Sequence, residues 1–211
     1  MRVESVSVGL PADIEFGGKR TTTGIFKRPV EGPVFAGLEN LDGDGQADLS
    51  VHGGRDKAIY CYSRDYYPLW ADELGRPLED AQFGENLTLS GGRDEDVVIG
   101  SLLRIGEAEA TVCQPRIPCF KLGIRVGDED FPNRFWTAGR LGFYLRVEAT
   151  GNISPGDAVT VLDAPAHGIT VHDLWTFVID GDAAGSARAL DVLADLDDGW
   201  CRRLRLASRD Q

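Results

Sequence analysis

The 211-residue sequence predicts a mainly β fold: a β-barrel with a few helices over residues 1–163, then a small three-helix domain over 167–211. Three observations carry this expectation. Short apolar or alternating runs, each cut by Gly, Pro or Asp, recur through the first 163 residues. Many short strands at turn-limited spacing favour a closed or nearly closed sheet. After Ala164-Pro165 the apolar period becomes helical. Finally, 42% hydrophobic and 27% charged residues are ordinary globular proportions, and a chain of this length buries a core without staples.

In chain order, the expected strands are residues 3–8, 23–26, 97–99, 102–105, 108–112, 143–147 and 159–162. One helix interrupts them. Tyr66, Leu69, Trp70 and Leu74 fall near helical spacing, and Gly75 suits a stop. A start at Ser63 would place Pro68 inside the helix at the expense of a hydrogen bond. A start at Asp65 puts Pro68 in the first turn and is expected. In the tail, Thr170 to Asp173 reads as a capping box, with Val171, Leu174, Trp175 and Val178 as an apolar stripe. Residues 186–196 are rich in Ala and Leu. Asp198 is expected to cap a last helix with Trp200, Leu204 and Ala207 on one face and Arg202, Arg203, Arg205 and Arg209 mostly outside it.

The charge balance is 22 − 34 = −12. That excludes broad binding to a nucleic-acid backbone, which needs a basic face, and adhesion to an anionic membrane surface. No apolar run approaches the roughly 20 residues of a membrane span. The opening residues show no apolar stretch flanked by basic ones, so no secretory signal is expected. There are four Cys (61, 113, 119, 201) and three His (52, 167, 172), with no C-x-x-C pair. This pattern argues against structural zinc and for a reduced, cytoplasmic chain.

Four segments carry chemistry. Leu41 to Asp48 resembles a calcium loop, but Ala47 stands where the loop needs Gly and Gly53 where it needs a bidentate Glu, so a tight Gly/Asp turn is expected. Val51-His52-Gly53-Gly54-Arg55-Asp56-Lys57 joins two glycines to three basic residues. It reads either as a cradle for an anion or as a hairpin loop with incidental charges. In Phe83-Gly84-Glu85-Asn86-Leu87, Asn86 either caps a turn or donates to a ligand. Gln114-Pro115-Arg116-Ile117-Pro118-Cys119-Phe120-Lys121 is the sharpest. Its two prolines stiffen the segment and argue against a continuing central strand. Arg116 and Lys121 flank Cys119, and nearby cations favour thiolate, the form that acts as nucleophile or metal ligand. The bland reading of Cys119, as of Cys61, Cys113 and Cys201, is a small buried apolar residue.

Taken in order, Gly43 to Asp48, Val51 to Gly54 with Asp56-Lys57-Ala58, Phe83 to Leu87 and Gln114 to Leu122 resemble the MOSC domain family, named for the C-terminal domain of molybdenum-cofactor sulfurases. The branch they look like is the stand-alone bacterial YiiM-type, and the tail looks like the three-helix domain of that branch. The resemblance spans nearly the whole chain. It implies a β-barrel, a bound molybdenum cofactor (molybdopterin) and one essential cysteine, Cys119, ligating molybdenum through its thiolate. Arg116 and Lys121 would hold the cofactor's phosphate or pterin. His52 with Gly53, Gly54 and Lys57, and Asn86, would line the same pocket. A soft thiolate suits molybdenum, and an anionic cofactor needs the cations concentrated at 52–57 and 116–121. The implied activity is reduction of N-hydroxylated compounds, including hydroxylaminopurine base analogues, with His52 as proton donor and a separate flavoprotein as electron donor. Two alternatives keep the same residues: Cys119 as a persulfide sulfur carrier, or a non-catalytic cofactor-binding module whose tail docks a partner.

Overall fold

The structure, a computed structural model, describes residues 1–47 and 53–209. Its strands are β1 (Arg2–Val8), β2 (Ala12–Phe16), β3 (Lys19–Thr23), β4 (Arg28–Pro29), β5 (Val34–Ala36), β6 (Ile59–Ser63), β7 (Leu87–Ser90), β8 (Leu102–Ile105), β9 (Ala108–Pro115), β10 (Phe143–Ala149), β11 (Gly151–Ile153) and β12 (Val159–Asp163). The helices are α1 (Tyr67–Leu74), α2 (Phe120–Val126), α3 (Phe131–Thr137), α4 (Val171–Ile179), α5 (Ala183–Val192) and α6 (Asp198–Ala207).

Eight strands form one sheet in the order β12-β8-β9-β10-β6-β7-β1-β4. Its pairs are antiparallel except β6–β7, which is parallel and joined across α1. Two-stranded pairs β11–β5 and β2–β3 flank it. The closed barrel expected from the sequence is not found; the sheet is open, with β12 and β4 outermost. The reason lies in the edges. β4 is two residues long and ends in Pro29, which has no N–H to donate. Among the described residues, β12 and the segment before it meet the other end of the sheet at the start of β1, where Val159 N–H donates to Met1 O at 2.9 Å. There Val3 N–H donates to Asp157 O at 2.9 Å and Gly156 N–H to Val3 O at 2.7 Å, around one isolated Arg2–Ala158 bridge.

Other expectations also shift. Residues 24–26 are not a strand; the hairpin β2–β3 ends at Thr23. Residues 97–99 are not a strand either. They reach the tail through the isolated Val98–Thr170 bridge, made by Ile99 N–H to Ile169 O and Val171 N–H to Val97 O. β9 continues through Pro115, against the reading that the prolines forbid it. β8 pairs as far as Thr111, and Val112 still bonds to Gly100 and Ser101, but Pro115 lies past these, so its missing donor interrupts no ladder bond. α1 begins at Tyr67 rather than Asp65, after a 3₁₀ turn at Arg64–Tyr66 whose entry Ser63 Oγ caps. Pro68 does fall in the first turn, and Gly75 closes the helix with φ 63°. Helices α2 and α3 have no counterpart in the sequence reading. The Leu41–Asp44 turn forms as expected, with Asp44 N–H bonded to Leu41 O at 3.0 Å.

An aromatic cluster ties α1 and α3 to the sheet. Trp70 stacks on Phe135 at 5.4 Å and meets Phe131 edge-on at 5.1 Å, while Phe83 packs on Tyr62 at 4.9 Å. In the tail the Thr170–Asp173 capping box forms in both directions, at 3.0 and 2.9 Å. Asp182 caps α5, and Asp197 rather than Asp198 caps α6. Val171, Leu174, Ala189, Trp200 and Leu204 are fully buried and join the same hydrophobic core as the sheet. Among the described residues, no helix is long and apolar enough to cross a membrane.

Below the aromatic cluster, buried Asp94 accepts hydrogen bonds from Leu141 N–H at 2.7 Å and Gly142 N–H at 3.2 Å. They fix the turn before β10. Gly142 must be glycine there: its φ is 66°, and a Cβ would lie 2.4 Å from Cys61 O. Burial raises the Asp94 carboxyl to about 7, against the pull of those N–H groups. The sign follows: the fold binds this proton more tightly than the unfolded chain, so the stability it supplies is lost as pH rises from about 4 to 7. Relative to Asp94→Asn, which cannot titrate, wild type is expected to lose about 3 kcal/mol between pH 5 and pH 8. Urea unfolding of both chains at the two pH values checks this, and a constant difference contradicts it.

Candidate functional site

The end of β9 delivers a rigid segment to one end of the sheet. Arg116 N–H bonds to Gly142 O at 3.2 Å, in continuation of the β9–β10 ladder. Its side chain turns inward and is 6% exposed. The guanidinium donates to Phe83 O and sits 4.7 Å from the centre of the Tyr60 ring. Burial opposes its charge, while Tyr60, Tyr144 and Cys119 favour it, and the net effect raises its pKa. Among the described residues no carboxylate pairs with it. A buried cation without a counter-ion is costly and favours an anionic ligand. Cys119 follows in extended backbone, half-buried and unbridged, at the entrance to α2.

A second group holds the opposite wall. Buried Lys27 pairs with buried Asp44. Burial lowers the Lys27 pKa, and Asp44 offsets only part of that. Asp44 also accepts from Gly9 N–H at 2.9 Å and from the Asn86 amide at 2.9 Å. Asn86 gives its second N–H to Ser7 O at 3.2 Å, and its oxygen accepts from Tyr60 N–H at 3.0 Å. Both Asn86 donors are therefore committed to joining β1, β6 and the Asp44 turn. Gly84, with φ 82°, brings its backbone against Ile25, and a Cβ would lie 2.6 Å from Ile25 Cγ1. That closeness explains the glycine in the Phe83–Leu87 segment.

These walls enclose a cleft with two lobes. The narrower, about 90 Å³, is lined by Lys27, Lys57, Asn86, Arg116, Cys119 and Lys121, with Tyr60 and Tyr144. The wider, about 450 Å³, is bounded by the 117–118 loop and the start of α6, including Asp197, Arg202 and Arg203. Lys57, Cys119 and Tyr144 line both lobes, so the thiol sits where they meet. The α6 wall is tied down by several bonds. Asp197 Oδ2 pairs with Lys57 Nζ at 2.8 Å and accepts from Gln114 at 3.0 Å. Asp197 N–H returns a bond to Gln114 Oε1 at 2.9 Å, and Trp200 Nε1–H donates to Pro115 O at 2.8 Å.

The structure thus brings Lys57, Asn86, Arg116, Cys119 and Lys121 to one cleft. Gly53 and Gly54 line neither lobe, and His52 lies outside the described residues. Cys61 and Cys113 are buried, and the thiols of both are pushed up by burial, Cys113 to about 12. Sequence reasoning missed Lys27, Tyr60, Tyr144 and the α6 wall. One signal was present: the chain has only four lysines, at 19, 27, 57 and 121, and the last three line the cleft. A soft thiol beside a buried unpaired guanidinium and half-buried ammoniums fits an anionic group bearing a soft metal.

A sequence profile described as MOSC domain matches residues 48–160. Over 169 residues the chain is 44% identical to an uncharacterized protein, YflK, of Bacillus subtilis (strain 168), covering 80% of this chain and 76% of that one. A protein named Reductase from Gibberella moniliformis is 37% identical over 153 residues, which are 70% of this chain but 27% of that one. The crystal structure of YiiM from Geobacillus stearothermophilus superposes with a TM-score of 0.80 at 28% identity, covering 98% of each chain. The four ordered motifs, the profile match and these relatives together show that the chain belongs to the MOSC domain family and is YiiM-like within it.

Proposed function

We propose that the chain is a molybdenum-cofactor-dependent reductase of N-hydroxylated compounds, hydroxylaminopurine-type base analogues among them, with Cys119 as the molybdenum ligand. One observation supports this above others: a free, half-buried thiol at the junction of two lobes, beside a buried guanidinium that pairs with no carboxylate among the described residues. MOSC domains are associated with the molybdenum cofactor in general. A relative that shares most of this chain is named a reductase. When bound, the cofactor would supply the metal centre that accepts and releases electrons.

The protein's own residues do the rest. Cys119 Sγ would hold the metal as thiolate. Arg116, Lys57 and Lys121 would neutralise the cofactor's anionic groups. Lys27 and Asp44 offset each other, so they brace the wall and leave Arg116 as the dominant buried charge. Asn86 keeps the Gly84 turn and Tyr60 in register beneath it. The wider lobe, lined by Gln114, Ile117 and Pro118, would receive the substrate and bring its N–OH group to the thiol end. His52 is the assigned proton donor, and a separate flavoprotein the assigned electron donor.

The test is turnover of hydroxylaminopurine to the aminopurine by chain produced in cofactor-competent cells, driven by reduced methyl viologen. Product formation proportional to molybdenum content supports the reading. Sulfane sulfur on Cys119 without molybdenum would instead establish the sulfur carrier. Full cofactor loading without turnover of any N-hydroxylated compound would establish the binding module.

A further inference from the structure

Helix α6 turns its outer face away from the core. Arg202 and Arg205 on it, and Arg209 just after it, are all exposed, and Leu206 among them is 58% exposed. They line a shallow groove of about 300 Å³ with Asp198 at its rim. Among the described residues, none of these three arginines enters an ion pair. Arg203 is different: it bonds to Gly199 O at 3.1 Å and lies over the Trp136 ring at 5.3 Å. Asp210, next in sequence after Arg209, is outside the described residues.

The position of this face matters as much as its charge. The chain carries −12 overall, so it repels an acidic partner over most of its surface and attracts one at this arginine face. Arg202 and Asp198 line both this groove and the wider lobe that contains Cys119. A partner seated here therefore stands at the mouth of the cleft. Small, charge-steered contacts suit transient electron-transfer pairs.

We propose that the α6 arginine face docks an acidic electron-transfer protein that carries its own one-electron centre. The proposal rests on the reductase reading, which requires an external reductant: R–NHOH + 2 e⁻ + 2 H⁺ gives R–NH₂ + H₂O. Two reduced donor molecules each lose one electron, and two protons, drawn from solvent through the proposed proton donor His52, pass to nitrogen and oxygen as the N–O bond breaks.

The experiment uses the molybdenum-loaded full chain with two reductants, an acidic flavodoxin and the small cation methyl viologen, both reduced beforehand. Flavodoxin-driven kcat/KM is expected to fall about ten-fold or more in wild type as ionic strength rises from roughly 20 to 200 mM. In Arg205→Glu/Arg209→Glu it is expected to be low throughout, with little salt dependence, while viologen-driven turnover stays within about two-fold of wild type. Arg205→Gln, which keeps a good helix former, is expected to show a smaller loss of the same kind and serves if the double variant is unstable. Unchanged flavodoxin kinetics in the double variant overturn the docking surface, as does an equal loss with both reductants. Loss of binding to RNA or anionic vesicles with donor kinetics intact also overturns it. No viologen-driven turnover in wild type overturns the reductase reading itself, and the docking claim with it.

Discussion

Replacing Trp200 by Ala is expected to destabilise the chain by about 3–5 kcal/mol, the range for removing a fully buried aromatic side chain. Trp200 is 0% exposed, packs on Trp136 at 5.8 Å and donates its indole N–H to Pro115 O at 2.8 Å. That bond holds the tail to the last residue of β9, immediately before Arg116. The two contributions separate experimentally. Trp200→Phe keeps most of the packing and drops the hydrogen bond, so it is expected to cost about 1–2 kcal/mol. Against a typical total stability of about 5–15 kcal/mol, the Ala variant is near the limit of folding at ordinary temperature. Urea unfolding of the three chains checks the order. A Trp200→Ala chain as stable as wild type would mean that α6 does not brace the site.

Cys119→Ser is expected to fold as well as wild type and to lose at least about a thousand-fold in turnover, or about 4 kcal/mol of transition-state stabilisation. The first half follows from local structure. Cys119 precedes α2 in extended backbone and makes no capping bond, whereas Ser is a favoured residue at that place. A melting temperature equal to or slightly above the parent's is therefore expected. The second half follows from chemistry: a hydroxyl is a hard, weakly acidic group and does not replace a soft thiolate at molybdenum. Since the fold is unaffected, the lost turnover reports on the thiol.

Much of the tail was legible in the sequence because its signals are local. The Thr170–Asp173 capping box and the Trp200, Leu204, Ala207 stripe each lie within one helix, and both form. The Cys119 neighbourhood was legible for the same reason, since Arg116 and Lys121 are sequence neighbours. What escaped is long-range. Lys27 and Asp44 meet the expected Asn86 only when β1, β6 and the Gly43 turn assemble, since the three come from separate segments. Gln114 and Asp197 are 83 residues apart. Helices α2 and α3 have seven residues each, too short to hold themselves together; Phe131 and Phe135 stabilise α3 by packing on Trp70. The open edge of the sheet, where a closed barrel was expected, also escaped, because strand spacing says nothing about whether the last edges can pair. Here Pro29 and a two-residue β4 leave them open.

Every role proposed for this cleft depends on Cys119 Sγ holding molybdenum between its two lobes. The most direct test is molybdenum per chain, measured by elemental analysis on wild type and Cys119→Ser produced side by side in cofactor-competent cells. Near-stoichiometric molybdenum is expected in wild type and a trace in the variant, at equal folded protein. Equal molybdenum in both chains would contradict it.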